Sequence, residues 1–201
     1  MGWPKAWLPF GPELMLPRVV RLLGEVVAPL VVVAAPDQAL PNLPDTITIV
    51  RDRDQGRGPL EGLRAGLAAL SGLADAAFAT SCDVPLLAPG FVRRVIELFP
   101  AGEYDIAVPW AEGYHHPLAA VYRVQVVAQI ERLLEENRLR PVFLFEQVRT
   151  RVISAAELED VDPQLNSLRN LNHPSDYYAA LAAAGYSPSP EIQAVFGPPP
   201  F

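Results

Sequence analysis

The stretch Leu30-Val31-Val32-Val33-Ala34-Ala35, bounded by Pro29 and Pro36, decides the fold class. A continuous apolar run of strand length with β-branched residues at its centre fits a strand covered on both faces, as in the parallel sheets of α/β proteins. Working outward, Thr46-Ile47-Thr48-Ile49-Val50 reads as a second strand, and Leu60, Leu63, Leu67 and Leu70 fall at helical spacing. Ala76 to Thr80 is a third strand, and Phe91 to Phe99 a helix after Pro89-Gly90. Tyr104 to Trp110 and Leu118 to Arg123 read as further strands, Val124 to Glu136 and Pro141 to Val148 as helices, Arg151 to Ser154 as a strand and Pro174 to Ala184 as a last helix. This alternation predicts an α/β, doubly wound sheet with helices on both faces. Towards the N-terminus the pattern breaks. A helix opens at Pro17 with no strand before it, so the first, central strand is missing and a pairing edge is left open. Past Gly185, Tyr186-Ser187-Pro188-Ser189-Pro190 and Pro198-Pro199-Pro200-Phe201 read as a loosely attached tail, giving a domain over 1–185 and a Pro-rich tail over 186–201.

Composition bounds the function. The 201 residues suit one domain, and 16 Lys+Arg against 23 Asp+Glu, a net charge of −7, argue against a nucleic-acid partner. No apolar run reaches the roughly 18 residues of a membrane helix. The single Cys82 excludes an internal disulfide and a multi-cysteine zinc site, and the N-terminal residues make a poor signal peptide, so a cytoplasmic monomer is the default expectation. Fifteen of the sixteen basic residues are arginine. Lys5, the one lysine, marks a place where a compact ammonium would suit better than a guanidinium fork.

On such sheets ligands bind at the carboxyl ends of strands. Asp83, in Ser81-Cys82-Asp83-Val84-Pro85, lies there and fits either a Mg²⁺ ligand or the cap of the following turn. Arg51 to Leu63 joins a strand to a helix; Gly56, Gly58 and Gly62 would let backbone approach an anion, or the loop is simply charged and solvated, with Asp52 and Asp54 neutralised by arginines. His115 and His116, with His173, show no metal spacing, and one of the pair could line a substrate or be an ordinary histidine. Asn170-Leu171-Asn172 before His173-Pro174 reads by default as a turn and helix cap.

Together, Met1-Gly2-x-x-Lys5-Ala6-x-Leu8, Gly58-Pro59-Leu60-x-Gly62, Cys82-Asp83-x-Pro85-x-Leu87, His116-Pro117-Leu118 with Tyr122-Arg123, and Asn170-Leu171-Asn172-x-Pro174-x-Asp176 resemble the molybdenum cofactor guanylyltransferases from Met1 to about Gly185. The resemblance implies a Rossmann-like, mostly parallel sheet and the transfer of GMP from GTP to molybdopterin with release of pyrophosphate. It implies Lys5 and Asp83 as catalytic residues, and Asp83 as the Mg²⁺ ligand. Gly2, Lys5, Asp52, Gly58, Gly62 and Asp83 would serve the nucleotide, with Asp54 an alternative to Asp52, and Arg140, Asn170 and Asn172 the pterin side. Molybdoenzymes or their chaperones would be partners, and Cys82 a packing residue. The family's opening strand and its Leu-Ala-Gly-Gly-x-Ser-x-Arg loop do not precede Met1-Gly2, and Ala34-Ala35 stands where members often carry an asparagine. The expectation is therefore either a natural start further upstream or a non-catalytic, truncated binding module. A related transferase of other base or acceptor is the third reading.

Overall fold

A computed structural model of the chain describes residues 2–52 and 56–199. It opens on a 3₁₀ turn, Lys5–Trp7, and a short hairpin of β1 (Pro9–Phe10) and β2 (Glu13–Leu14) that runs directly into α1 (Met15–Gly24). Pro17 sits inside the first turn of α1, where its missing N–H has no helical acceptor to lose. Gly11 turns the hairpin at φ +62°, and a Cβ there would lie 2.5 Å from the Tyr186 ring, so only glycine fits.

Next come β3 (Val31–Ala34), β4 (Thr48–Arg51), α2 (Pro59–Ala69), β5 (Ala76–Thr80), α3 (Pro89–Glu97) and β6 (Ile106–Ala111). Then follow β7 (Tyr114–His115), β8 (Ala119–Arg123), α4 (Val127–Glu135), α5 (Val142–Phe145), β9 (Thr150–Ser154), α6 (Pro174–Ala183) and α7 (Pro190–Phe196). The helix read over 141–148 is thus a single turn, Val142–Phe145, and the chain leaves it through a turn before the strand that begins at Thr150.

The main sheet has the order β5-β8-β6, with β7 and β9 both paired to β6. Only β8 and the short β7 run against the others, since β8 is antiparallel to both β5 and β6 while β9 is parallel to β6. Alternation along β6 and β8 divides the core. Ala107 and Val121 meet Phe91, Val92 and Val95 of α3 on one face, and Ile106, Val108 and Tyr122 meet Leu60 and Leu63 of α2 and Ile130 and Leu133 of α4 on the other. Helices on both faces are what the apolar runs call for.

The layer is split. β3 pairs in parallel with β4, and neither shares a ladder with β5. Both blocks nevertheless lie between the same two helices. From α1, Leu16 and Val20 pack with Val32, while Val19 and Leu22 belong with Ala76 and Phe78. From α2, Gly66 backs onto Val33 while Leu63 and Leu67 pack with Ala77 and Ala79. All five residues of β5 are half-buried, whereas Ala119 to Tyr122 of its neighbour β8 are buried. Among the described residues β3 pairs only with β4 and β5 only with β8, so each keeps one edge without a ladder partner.

The loosely attached tail read over 186–201 is corrected. Ile192 of α7 is fully buried with Leu8, Phe10, Met15 and Tyr177, and Tyr186 and Phe196 pack edge-on against Phe10 and Tyr177. Three apolar residues at suitable spacing outweigh the prolines around them. No helix among the described residues is long and apolar enough to cross a membrane.

Candidate active site

β5 ends at Thr80, and the next three residues turn Asp83 over the carboxyl edge of the sheet. Its carboxylate is held from both sides. Ser81 Oγ donates to Oδ1 at 2.5 Å and Lys5 Nζ donates to Oδ2 at 2.6 Å. The same ammonium donates to Asn172 Oδ1 at 3.0 Å. Residues 78 and 167 positions from Lys5 thus converge on one cation. Each is placed by backbone: Ala6 is buried among Leu16, Val20 and Val32, fixing the 3₁₀ turn that carries Lys5, and Leu171 N–H donates to the Asp83 carbonyl at 3.0 Å, fixing the segment that carries Asn172.

The two turn-capping readings fail here. Both Asp83 oxygens go to side chains. The cap of α6 is His173, and Asp176 Oδ2 accepts from the N–H groups of Asn172 and His173, leaving the Asn172 side chain to reach Lys5.

Asp52 follows β4, and its N–H donates to the Ala34 carbonyl at 2.9 Å. Its Oδ1 is buried with no hydrogen-bond partner. Burial raises the Asp52 pKa, the nearby Glu61 adds to the rise, and Arg64 opposes it. Glu61 and Arg64 form a buried pair within α2, at 2.7 and 3.0 Å. Asp54 lies outside the described residues. Gly58 caps α2 at φ +69°, a conformation that glycine adopts freely. Gly62 and Gly2 show no close approach, since a Cβ on either would meet nothing within 4 Å.

A cavity of about 750 Å³ opens beside the Asp83 cluster, lined by Asn170 and Asn172, by Pro59 at the start of α2, and by Tyr114 and His116. Arg140 is apart from these asparagines, on a smaller cavity of about 340 Å³ that it shares with Trp110 and Phe145; Tyr114 and His115 line both. Tyr114 and Ser167 also line the cavity and were not singled out by the sequence, whereas His116 is one of the pair read there as a possible substrate-lining residue. His116 is only 8% exposed and its Nε2 has no partner. Ser167 Oγ accepts from the Ala88 N–H, capping α3, and Asp162 accepts from the N–H groups of Asn166 and Ser167. The spacing Asp162 to Asn166 is a readable turn signal that the sequence reading passed over. Cys82 is half-buried, and burial pushes its thiol up to about 11, so it packs rather than reacts.

Among the described residues no three of His, Cys, Asp and Glu gather as a metal-binding group. The oxygen donors Asp83 Oδ2 and Asn172 Oδ1 instead surround the Lys5 ammonium, a stand-in for a hard cation, and one carboxylate suffices where substrate phosphates complete the shell.

Residues 1–151 match the sequence model described as the MobA-like NTP transferase domain. The chain belongs to this family. It is 37% identical over 161 residues to a probable molybdenum cofactor guanylyltransferase of Methanothermobacter thermautotrophicus, covering 78% of this chain and 79% of that one. A protein of the same description from Carboxydothermus hydrogenoformans is 30% identical over 182 residues, covering 90% and 88%. Among solved structures, molybdopterin-guanine dinucleotide biosynthesis protein A of Archaeoglobus fulgidus superposes with a TM-score of 0.75 at 19% identity, covering 92% of each chain. The 2-C-methyl-D-erythritol 4-phosphate cytidylyltransferase of Thermus thermophilus gives 0.63 at 18%, covering 90% and 94%. At these identities the structures establish the shared fold. Membership makes the chain a nucleotidyltransferase, and places the Asp83 cluster in an NTP-transferring family at the sheet edge where ligands bind.

Proposed function

We propose that this chain transfers GMP from GTP to the phosphate of molybdopterin and releases pyrophosphate. The observation that carries the reading is the convergence of Lys5, Asp83 and Asn172 beside a cavity, in a chain whose relatives bear that description. An oxygen of the molybdopterin phosphate attacks the α-phosphorus, the bond from that phosphorus to the bridging oxygen breaks, and pyrophosphate leaves with the electron pair. Such a displacement needs positioning and charge stabilisation rather than a protein nucleophile. Lys5 neutralises the triphosphate. Asp83, oriented by Ser81, would hold Mg²⁺, with Asn172 the second oxygen. Mg²⁺ there supplies charge neutralisation across the phosphate oxygens.

Gly2, Asp52, Gly58 and Gly62 are assigned to the nucleotide side, and Asn170, Asn172 and Arg140 to the pterin side. Residues 1–185 are read as one transferase domain. The enzyme is assigned to the cytoplasm as a monomer, handing its product to molybdoenzymes or their chaperones. Pyrophosphate release from GTP, Mg²⁺ and molybdopterin by the 201-residue chain tests the activity. Release at a measurable rate is expected. Binding of both substrates without release would support a non-catalytic binding module instead, and binding of neither would overturn the assignment. Ala34-Ala35, in place of the family's asparagine, favours a second reading with another base. Competition of GTP against CTP decides it, equal affinity removing guanine.

A further inference from the structure

The β6–β7 hairpin leaves two aromatic rings open, Trp110 at 41% and Tyr114 at 50% exposure. Trp110 follows Val108 on the same face of β6, and Val108 is fully buried with residues of α2 and α4. The indole therefore stands where that face emerges from its cover. Across the hairpin it is paired with His115, whose ring lies edge-on to it with centroids 4.6 Å apart, and His115 in turn meets Phe145 of α5 at 5.1 Å. Trp110, His115 and Phe145 form an aromatic wall of the cavity of about 340 Å³. Arg140 lines the same cavity and is exposed, and its guanidinium makes no hydrogen bond or ion pair among the described residues. Tyr114, His115 and Pro117 line this cavity and the large one alike, so the two adjoin at the hairpin. A ligand reaching across would meet Asn172, and through it the Lys5–Asp83 cluster, at one end, and aromatic rings with a free guanidinium at the other. The second end suits a flat heterocycle bearing a carbonyl, because the rings offer stacking to its faces and the guanidinium can donate to its oxygen. It does not suit a phosphate, which would lose hydration against the rings.

Building on the assignment above, we propose that Trp110 stacks on the heterocycle of the acceptor substrate in the small cavity, with Arg140 at the carbonyl edge of that ring. The acceptor then lies across the hairpin with its phosphate towards Asn172. Arg140 and Asn170, which line different cavities, serve opposite ends of one molecule. Trp110 is a specificity residue for the acceptor and has no part in the nucleotide site.

The test is calorimetric titration of molybdopterin, and separately of GTP, into the 201-residue chain, which needs no turnover, in wild type, W110L and W110F. Leucine keeps apolar bulk and removes the flat π surface; phenylalanine keeps one. Thermal melting of the same samples registers general damage, which should be small because the indole is exposed. The expected result is molybdopterin binding weaker by about ten-fold in W110L, the scale of losing one stacked ring, affinity within about three-fold of wild type in W110F, and GTP affinity unchanged in both. Equal molybdopterin affinity in wild type and W110L overturns the proposal while leaving the assigned activity standing. Equal weakening of W110L and W110F also overturns it, since stacking would respond to the retained ring. Weakened GTP binding in W110L with molybdopterin binding kept overturns it by placing the nucleotide base in this cavity. Wild type that fails to bind molybdopterin overturns the acceptor assignment itself, and this inference with it.

Discussion

Asp83 is 7% exposed and both its oxygens are engaged, by Lys5 and by Ser81, so removing its charge while keeping its shape tests the role proposed for it. Asp83→Asn keeps the volume and an acceptor for Lys5, and should leave the melting temperature within a few degrees of wild type. Its pyrophosphate release should fall at least about 100-fold, the scale of losing one electrostatic contact to a developing charge. Undiminished turnover at saturating Mg²⁺ would reduce Asp83 to a turn residue. Glu61 and Arg64 make the opposite case, a buried pair that links α2 to Asp52 rather than to the Asp83 cluster. Glu61→Ala leaves the guanidinium buried and should cost about 3 kcal/mol, lowering the melting temperature by roughly 10 °C for a chain of this size. Replacing both residues by Met should recover most of that loss, and failure to do so would show that the pair's charge is itself needed. Lys5 and Asp83 were legible as single residues because each is an oddity of type or place. Their contact with Asn172 was not, since 167 residues separate Lys5 from its partner and no local pattern spans that distance.

The final helix shows how far an element can depart from its composition. Prolines at 188 and 190 suggested a tail, yet Pro190 is the first residue of α7, where proline is well suited, and Ser189 Oγ accepts from the Ile192 N–H. Ile192→Ala should destabilise the protein by about 2–5 kcal/mol, visible in urea unfolding; an unchanged midpoint would return the segment to a loose tail. At the far end of the sheet, Asp105 ties the start of β6 to β9, accepting from the Arg149 backbone N–H at 3.2 Å and from its guanidinium at 2.9 and 3.0 Å. The Arg149 side-chain hydrogen bonds, then its backbone N–H, hold the Asp105 carboxyl below its ordinary value of 3.8. A depressed folded pKa means that the contribution is complete above the unfolded value and is lost as pH falls through the folded one. Asp105→Asn should therefore melt below wild type at neutral pH, with the gap closing below about pH 4. A gap that stays constant with pH would exclude this linkage. Because Arg149 is well exposed, the effect should shrink in high salt.

At the scale of the molecule the split layer dominates. The Val124 N–H bonds the Asp75 carbonyl, so in the antiparallel register Ala77 and Ala79 turn their backbone groups to β8, and Ala76, Phe78 and Thr80 turn theirs into the gap. On the other side Thr48 N–H bonds the Leu30 carbonyl and Asp52 N–H the Ala34 carbonyl, which leaves Val31 and Val33 facing the gap. Hydrogen exchange should show protected amides at Val32, Ala34, Ala77 and Ala79 and fast exchange at Val31, Val33, Ala76, Phe78 and Thr80. Uniform protection along β5 would mean that the edge is covered in solution. An open parallel edge inside a two-faced layer is unusual because buried N–H and C=O groups are almost always paired.

The sequence by itself determined the class of the fold, most element positions, the open edge and the identity of the charged residue past β5, because periodicity and strand-end position are local properties of the chain. Tertiary structure alone decided the rest. It brought Lys5, Asp83 and Asn172 to one point, set Arg140 on a different cavity from Asn170, folded the tail back over Phe10, and left His116 Nε2 without a partner. Each of these depends on which distant backbone segments lie side by side, and that is fixed by the packing of α1 and α2 across the layer rather than by any neighbouring residue.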